Sequence, residues 1–519
     1  MNGNPVLKNN VELWRIIFFA AIVGVIFIAY LFRLFNLQVL EGPEWNALAE
    51  ENRISELNIP SQRGIIMDRN GFILARNIAA YNIVITPADL PDDIGEIQEI
   101  YRSISELTGV PINLNEVTPE NPFVPCLSEH GITQIVDYGT TSDPYTPVRI
   151  MCDIDQTSAM IIKERAVDWP GVDIEIESVR DYPTGSLTAS LVGFLGPISA
   201  IEEDYFVERG LVPNRDKVGY AGVERYFQSF LAGRNGRRIV EVDVAGQILR
   251  DIAPPIPPSP GFNINLTLDT RLQSAAESIL ANEINFWNTY LGTIRTTSGV
   301  VIAMNPQTGE ILAMVSYPSY ENNRMARIIP QYYYEQLSED LTNPLLNHAV
   351  ADELPAGSVF KLVTAVGALN EGVVTAEQVL AAPPKITITE KYFANDPGKA
   401  REFVDWNKAG FGSIDFVHGI ANSSNVYFYK LGGGYREEVP EGLGVCRLAT
   451  YARAMGYGSY PGIELPLVED GLIPDPTWKR INQGENWSTG DTYLAGVGQG
   501  YVIATPIQVL LSASIIAND

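Results

Sequence analysis

The chain has 519 residues, of which 46% are hydrophobic and 10% aromatic. This length and composition exclude wholesale disorder and, at roughly 100 to 200 residues per domain, a single small module. With 36 Lys+Arg against 62 Asp+Glu, the formal net charge is −26. Such a charge repels phosphate backbones, so it excludes nucleic acid as the main ligand.

Cysteine and histidine are scarce, and their placement predicts neither a metal site nor a cofactor. The three cysteines match no spaced zinc pattern and are too few for a disulfide-built scaffold: Cys126, Cys152 and Cys446. A bridge between Cys126 and Cys152 is an open alternative. The three histidines lie far apart and outside any His-Glu-x-x-His signature, at His130, His348 and His418.

The first predicted element in chain order is an apolar helix. Residues 16–32, IIFFAAIVGVIFIAYLF, carry no charge and would extend about 26 Å as a helix, close to the thickness of a bilayer core. A cleaved signal peptide is the alternative. The run is long for one, however, and the nearest small-x-small site, at residues 47–49, lies well beyond it. We therefore predict an uncleaved transmembrane helix over residues 16–38.

The charges beside this helix predict its orientation. Lys8 and Arg15 precede it, whereas acidic residues follow it, at Glu41, Glu44, Glu50 and Glu51. Positive flanks stay on the cytoplasmic side of a membrane. Residues 1–15 are therefore a predicted cytoplasmic tail, and the acidic bulk of the chain is predicted to lie outside the cytoplasm.

Residues 39–260 combine strand and helix patterns, as is typical of an α+β domain. Residues 81–85 predict a strand, and helical spacing predicts a helix with the apolar residues Ile97, Ile100, Tyr101, Ile104 and Leu107. The segment APPIPPSPG, residues 253–261, can continue neither a helix nor a central strand. We place a domain boundary there, so that a second domain covers residues 261–519.

The second domain opens with a strand, a helix and a hairpin. The strand pattern covers residues 263–269, and the helix after it is predicted to bury the stripe Leu272, Ala276, Ile279, Leu280 and Ile284. Two apolar runs, residues 298–304 and 310–315, flank a segment with the Pro and Gly of a turn, so they predict paired strands.

Ser358 and Lys361 are candidate catalytic residues. They precede the apolar run 362–369, which predicts a buried helix that begins near Ser358. A spacing of three places both side chains on one face, and burial lowers the pKa of an ammonium group. A neutral Lys361 could accept the serine proton, while the helix start would support negative charge on an attacked carbonyl. The alternative is an N-cap serine followed by a lysine that reaches solvent.

A second polar motif, Ser423-x-Asn425, lies between two apolar stretches, and its alternative interpretation is a helix cap. Together with Ser358-x-x-Lys361 it resembles the first two motifs of penicillin-binding proteins. Further segments resemble the transpeptidase domain of that family and the upstream domain of its class B, monofunctional branch. These segments are distributed along nearly the whole chain, at residues 63–71, 180–185, 219–224, 231–236, 305–310, 316–320, 405–407, 490–492, 498–500 and 505–506.

The resemblance implies a membrane-anchored multidomain α+β fold with a single N-terminal transmembrane helix. An extended α+β pedestal would cover residues 39–260. A transpeptidase domain, with a central antiparallel sheet and helices on both faces, would cover residues 261–519. The resemblance also implies structural ion-pair candidates at the junction between the domains: Arg63, Asp68, Arg180 and Glu224. Solvated surface charge is the alternative for these four residues.

The family's third motif, Lys-Thr-Gly or Lys-Ser-Gly on a strand that lines the site, is absent from the 519 residues. In the family it follows the segment that Thr505-Pro506 resembles, so we expect it beyond Asp519. A polypeptide without it would lack the strand that binds the substrate carboxylate and supplies the second oxyanion N–H. Such a polypeptide is expected to be inactive.

The resemblance implies a D,D-transpeptidase that cross-links peptidoglycan stem peptides. Ser358 would attack the penultimate D-Ala of a donor peptide, and Lys361 would act as the general base. Ser423 would relay protons to the leaving and incoming amines. Asn425 would bind the donor peptide and help to position Lys361. β-Lactam antibiotics are expected to acylate Ser358.

Further expectations concern binding, partners and location. Trp406 and Gly357 are implied as substrate contacts. No glycosyltransferase-like segment lies between anchor and pedestal, so glycan polymerisation is expected from a partner, a polytopic membrane glycosyltransferase of the SEDS family. Other cell-wall elongation or division proteins are further expected partners, and residues 316–320 favour the elongation-type branch. The implied location is the bacterial inner membrane, with a single pass.

Two alternative functions come from other classes. A D,D-carboxypeptidase or β-lactam-hydrolysing relative would pass the acyl group to water instead of to an amine. A non-catalytic penicillin-binding sensor or scaffold would be acylated without turnover.

Overall fold

The computed structural model describes residues 13–41, 53–213, 215–243, 248–389 and 400–518. The chain begins there with helix α1 (Leu13–Phe35), which continues in a π-helical turn, Asn36–Leu40. The most apolar 18-residue stretch of Leu13–Leu40 has a mean hydropathy of 2.5, and none of that stretch is buried. Within the described residues it is the one helix long and apolar enough to cross a membrane. It extends the predicted run 16–32 at both ends, whereas residues 1–12 of the predicted tail lie outside the described residues.

The pedestal is built around the long strand β3, which pairs with β2, β4 and β5. A second sheet has the order β1-β8-β9, and β6 pairs with β7. The strands are β1 (Ile54–Ile59), β2 (Ile66–Met67), β3 (Ile73–Ile85), β4 (Val148–Ile154), β5 (Val172–Asp181), β6 (Leu195–Pro197), β7 (Lys217–Gly219), β8 (Gly236–Val242), β9 (Ile248–Asp251) and β10 (Ile264–Asn265). The helices are α2 (Ile94–Thr108), α3 (Ile132–Ser142), α4 (Gln156–Arg165), α5 (Ala189–Val192), α6 (Glu203–Val207), α7 (Gly222–Tyr226) and α8 (Gln228–Leu231).

The outer end of β3 carries a separate core. Ile83 and Ile85 are fully buried there against Ile100 and Ile104 of α2, because alternate strand residues and one helix face point the same way. The predicted strand 81–85 and the predicted α2 helix are thereby confirmed. Cys126 and Cys152 form a disulfide with Cα atoms 5.4 Å apart, which settles the open pairing.

Strand β10 links the two domains. It follows the proline-rich segment directly, yet it pairs in parallel with β2 of the pedestal. The boundary after residue 260 therefore stays a prediction, since the chain returns to the pedestal sheet before it enters the next helix.

The second domain combines an antiparallel hairpin with a helical half. Its strands are β11 (Gly299–Met304), β12 (Ile311–Tyr317), β13 (Leu380–Ala382), β14 (Lys385–Ile388), β15 (Arg401–Val404) and β16 (Gly412–Ile414). Its helices are α9 (Thr270–Leu291), α10 (Gln331–Glu339), α11 (His348–Ala351), α12 (Lys361–Asn370), α13 (Phe416–Ala421), α14 (Asn425–Gly433), α15 (Gly444–Ala454), α16 (Pro476–Gln483), α17 (Thr489–Gly496) and α18 (Pro506–Ala517). The predicted hairpin is confirmed as β11 and β12, which α9, α11 and α18 contact.

Helix α9 confirms the predicted element and part of its predicted face. Ala276, Leu280 and Ile284 of the stripe are half-buried, whereas Leu272 and Ile279 are exposed. The fully buried residue is Gln273. Its amide nitrogen donates to the carbonyl of Met314 at 2.9 Å, and its amide oxygen accepts from the Met314 N–H at 2.8 Å. The side-chain amide of Gln273 on the backbone of β12 therefore helps to fix the rotation of the helix, together with the half-buried part of the apolar stripe.

Three of the four charged pedestal residues form one buried cluster. Arg63 Nε lies 2.6 Å from Glu224 Oε2, and Arg180 Nε lies 2.7 Å from Glu224 Oε1. The Glu224 side chain is fully buried between them. A carboxylate that accepts from two guanidinium groups is well placed for burial, because each oxygen has a charged donor.

Asp68 differs from the ion-pair expectation. In the described part of the chain it forms no ion pair, and instead its Oδ2 accepts from the N–H and hydroxyl of Thr270 at 3.1 and 2.9 Å. Its Oδ1 accepts from the N–H groups of Asn70 and Phe72. Burial raises the pKa of this carboxyl group, but these hydrogen bonds together hold it below its ordinary value. Asp68 thus connects the pedestal to the first turn of α9, where free N–H groups need acceptors.

Candidate active site

The start of α12 is held by backbone from a distant part of the chain. A 3₁₀ turn, Gly357–Phe360, precedes the helix, and the Gly357 N–H donates to the Gly498 carbonyl at 2.8 Å. A Cβ atom on Gly498 would lie 2.2 Å from the Gly357 oxygen, so only glycine fits there. In the same turn Phe360 is fully buried against Tyr457. The turn that carries Ser358 is therefore fixed from both sides.

The Ser423–Asn425 turn is shaped by an unusual backbone conformation. Ser423 has φ 49°, in the left-handed region that non-glycine residues seldom adopt. Ser424 caps α14, because its hydroxyl accepts from the Tyr427 N–H at 3.2 Å. The cap falls on Ser424, so the Ser423 side chain is free for other contacts.

Lys361 is the centre of the site. Its Nζ lies 3.2 Å from Ser358 Oγ, 3.0 Å from Ser423 Oγ and 2.7 Å from Asn425 Oδ1. It also donates to the Ser423 carbonyl at 2.7 Å. Helix α12 packs between α14 and α15, and this packing brings the two motifs together. The structure thus places Ser358, Lys361, Ser423 and Asn425 in one cluster.

The electrostatics of the cluster lower the pKa of the amine. Lys361 is 4% exposed, and burial lowers its pKa to about 8, against an opposing effect from the Asp405 carboxylate. All four atoms that the amine contacts are neutral oxygens. At pH 7 about a tenth of such amines are uncharged, so Lys361 can accept a proton from the adjacent hydroxyl. Ser358 itself is exposed, which leaves its oxygen open to a substrate.

The two predicted substrate contacts lie at the edge of this cluster. Gly357 adjoins Ser358 and has φ 63°, in the left-handed region. Trp406 is 63% exposed, its indole N–H donates to the Asn422 carbonyl at 3.1 Å, and its ring contacts Phe411. Their role in substrate binding stays a prediction.

Three residues of the site were not singled out in the sequence. Gly498 and Ser424 shape the two turns, and Asp405 accepts hydrogen bonds behind the second turn. The available signal was the resemblance of residues 405–407 and 498–500 to the transpeptidase domain. It marked the segments without indicating which of their residues contact the motifs.

Two family models match this chain. The penicillin-binding protein dimerisation domain matches residues 58–266, and the penicillin-binding protein transpeptidase domain matches residues 299–519. A curated relative, the peptidoglycan D,D-transpeptidase MrdA of Salmonella typhimurium, is 31% identical over 97% of this chain and 73% of the relative.

Solved structures agree with the family models. One is described as "Structural coordination of polymerization and crosslinking by a peptidoglycan synthase complex"; it is 28% identical, with a TM-score of 0.67 over 97% of this chain and 77% of the other. The penicillin-binding protein PBP2 of Helicobacter pylori is 26% identical, with a TM-score of 0.64 over 89% of this chain and 78% of the other. The chain therefore belongs to the penicillin-binding protein family, and it combines a dimerisation domain with a transpeptidase domain.

Proposed function

We propose that this protein is a peptidoglycan D,D-transpeptidase that works through an acyl-enzyme on Ser358. The observation that carries the proposal is the buried Lys361 amine, which lies within 3.2 Å of Ser358 Oγ, Ser423 Oγ and Asn425 Oδ1. The match to the transpeptidase domain and the names of the relatives support the substrate class.

The first half-reaction transfers the donor peptide to the enzyme. Ser358 Oγ attacks the carbonyl carbon of the penultimate D-Ala while its proton passes to Lys361 Nζ. The bond to the terminal D-Ala then breaks, and the leaving nitrogen takes a proton from the Lys361 ammonium through the Ser423 hydroxyl. The products are an ester on Ser358 and free D-Ala, with Lys361 neutral again.

The second half-reaction makes the cross-link. The amine of a neighbouring stem peptide attacks the ester carbonyl, and its proton passes through the Ser423 hydroxyl to Lys361 Nζ. Ser358 Oγ leaves and takes a proton from the Lys361 ammonium, so that Lys361 is neutral again. Asn425 holds the amine through its Oδ1, so that Lys361 keeps one position in both half-reactions.

The location that we propose is the bacterial inner membrane, with α1 as a single-pass anchor and the catalytic bulk outside the cytoplasm. The length and apolarity of Leu13–Leu40 support an anchor. The disulfide between Cys126 and Cys152 supports an oxidising compartment, because such bonds are rare in the cytosol.

For the partner we propose a polytopic membrane glycosyltransferase of the SEDS family that polymerises the glycan strands. The similarity to a peptidoglycan synthase complex that coordinates polymerization and crosslinking supports a polymerase partner. We further propose a role in cell elongation, which the resemblance of residues 316–320 to the elongation-type branch supports.

The proposal is tested with the full-length protein, labelled penicillin and a lipid-linked precursor that a glycosyltransferase polymerises. We expect the wild type to be labelled on Ser358 and to form cross-linked product. Ser358→Ala should lose both, whereas Ser413→Ala, at an exposed serine of β16, should keep both.

Each alternative gives a different result in this assay. A D,D-carboxypeptidase would release D-Ala without cross-links, and a sensor would be labelled without processing the precursor. Penicillin labelling and cross-links that both persist in Ser358→Ala would show that the nucleophile is another residue.

A further inference from the structure

The carboxylate of Asp405 is buried behind the Ser423–Asn425 turn, and the proposed mechanism gives it no step. Asp405 is 5% exposed and directly follows β15, which pairs with β14. Its own N–H donates to the Pro384 carbonyl at 2.8 Å. The side chain therefore projects from a fixed point of the hairpin.

Both oxygens of this carboxylate accept hydrogen bonds. Oδ2 accepts from the Ser424 hydroxyl at 2.6 Å and from the Val426 N–H at 3.1 Å. Oδ1 accepts from the N–H of Trp406 at 2.8 Å. Ser424 and Val426 alternate in sequence with Ser423 and Asn425. Asp405 therefore binds Ser424 and Val426, whereas the side chains of Ser423 and Asn425 contact Lys361.

This turn needs such support because its conformation is unfavourable. A non-glycine residue in the left-handed region costs about 1–3 kcal/mol and persists only where surrounding contacts fix it. Ser423 has φ 49°, and the carboxylate holds the residue that follows it. Charge-assisted hydrogen bonds to a carboxylate are about twice as strong as neutral ones, which makes them suited to this task.

Resting on the proposed function, we propose that Asp405 is a positioning residue of the transpeptidase reaction. It holds the Ser423–Asn425 turn in the geometry that contacts Lys361, and its negative charge acts on the Lys361 amine across that turn.

The charges around this pair give the sign of the electrostatic effect. Burial lowers the pKa of Lys361, and the Asp405 carboxylate raises it in part. On α14 the Asp405 charge also acts on Tyr429, whose pKa is raised first by burial and then by that charge. The aromatic ring of Phe428, 5.7 Å from Lys361 Nζ, adds no titratable group. Loss of the Asp405 charge should therefore shift the titration of Lys361 to lower pH.

Asp405→Asn and Ser424→Ala separate the two effects in the full-length protein. The first removes the charge and one acceptor, whereas the second removes a hydrogen bond and keeps the charge. Asp415→Asn is the control, since the Asp415 carboxylate, in the same segment, accepts from His418 instead. The rate of Ser358 acylation by labelled penicillin is measured from pH 5.5 to 9.5, and the Lys361 titration is followed by NMR of ¹³C-labelled lysine, assigned with Lys361→Ala.

We expect Asp405→Asn to lower the acylation rate about 10- to 100-fold, as misplaced catalytic groups do. In this variant both the acid limb of the rate profile and the Lys361 titration should shift to lower pH. Ser424→Ala should lower the acylation rate without shifting the Lys361 titration. Asp415→Asn should change neither the acylation rate nor the titration.

The positioning role is overturned if Asp405→Asn acylates within about twofold of the wild type and titrates as the wild type does. If Asp405→Asn does not fold, unchanged acylation in Ser424→Ala overturns it. If the wild type is never acylated on Ser358, the proposed function fails, and the positioning role in that reaction fails with it. A Lys361 titration that still shifts in Asp405→Asn would then show the electrostatic effect alone.

Discussion

The active site and the pedestal each bury positively chargeable side chains, but the groups that contact those side chains differ in charge. In the pedestal, Arg63 and Arg180 both contact the carboxylate of Glu224. In the active site, Lys361 contacts neutral oxygens of Ser358, Ser423 and Asn425. Arginine stays charged at any working pH, whereas a buried lysine can release its proton.

This difference distinguishes a structural ion-pair cluster from a catalytic amine. A paired guanidinium cluster is stable only while all its charges are present, so it fixes the junction between elements. An amine that is buried without an ion pair is instead driven toward the neutral state, which is the state that a general base needs. Burial alone therefore does not indicate function, but the nature of the contacting atoms does.

The largest effect is expected from Lys361→Met. Without the amine, Ser358 acylation should fall about 10²- to 10⁴-fold, the usual contribution of a general base. The variant should stay folded, because an apolar side chain of similar length replaces a buried amine that forms no ion pair within the described residues. Labelled penicillin and thermal unfolding measure the two quantities. Lys430→Met is the matched control on α14: this lysine pairs with Glu438, so its loss should reduce stability rather than chemistry.

Glu224→Gln should have the largest effect on stability. It leaves two buried guanidinium groups without a charged partner, at a cost of about 3–5 kcal/mol in the free energy of unfolding. Urea titration measures this loss. Asp181→Asn, which breaks the partly exposed pair with Arg76, is the control and should cost less than about 1 kcal/mol. If both variants lost the same free energy of unfolding, burial would not explain the contribution of the Glu224 cluster to stability.

The pH dependence of acylation comes next in size. Because the pKa of Lys361 is lowered to about 8 and the neutral amine is the reactive form, the rate should rise with pH. Between pH 6 and pH 8 the neutral fraction increases ~50-fold, and above pH 9 the rate should level off. Stopped-flow acylation at constant ionic strength measures the profile. A rate that stays flat from pH 6 to pH 8 would contradict a lysine base.

The smallest effect is expected at Asp68, which holds the first turn of α9 without an ion pair. Asp68→Asn should cost about 1–2 kcal/mol at pH 7, because charge-assisted hydrogen bonds are replaced by neutral ones. The folded pKa of Asp68 is lowered, so its contribution is present above the ordinary carboxyl pKa and is lost as the pH falls below it. The difference in the free energy of unfolding between the wild type and Asp68→Asn, measured by urea titration, should therefore become smaller at acid pH.

The active-site serine and lysine could be predicted because their contact is local. A spacing of three along one helical turn places Lys361 beside Ser358 whatever the rest of the fold does. Ser423 and Asn425 could be found only through the family resemblance, since nothing local relates them to Lys361. The role of Asp405 could not be predicted at all. Its contact with Ser424 depends on where the β14–β15 hairpin meets the start of α14, which is a property of the tertiary structure.

The exposed part of the predicted α9 stripe has a related cause. Apolar periodicity describes a helix that packs only by its hydrophobic side chains, whereas α9 packs by Leu280 and Ile284 and also by the amide of Gln273 on the backbone of β12. The pedestal charges show the same limit. The sequence indicated four candidates, but only the structure distinguishes the three that share an ion cluster from Asp68.

The backbone bond between Gly357 and Gly498 has a consequence for folding, because it joins residues that lie far apart in the chain. The turn that carries Ser358 reaches its final conformation only after the segment around Gly498 has packed against it. A polypeptide that ends before Gly498 should therefore carry the nucleophile in an unanchored turn.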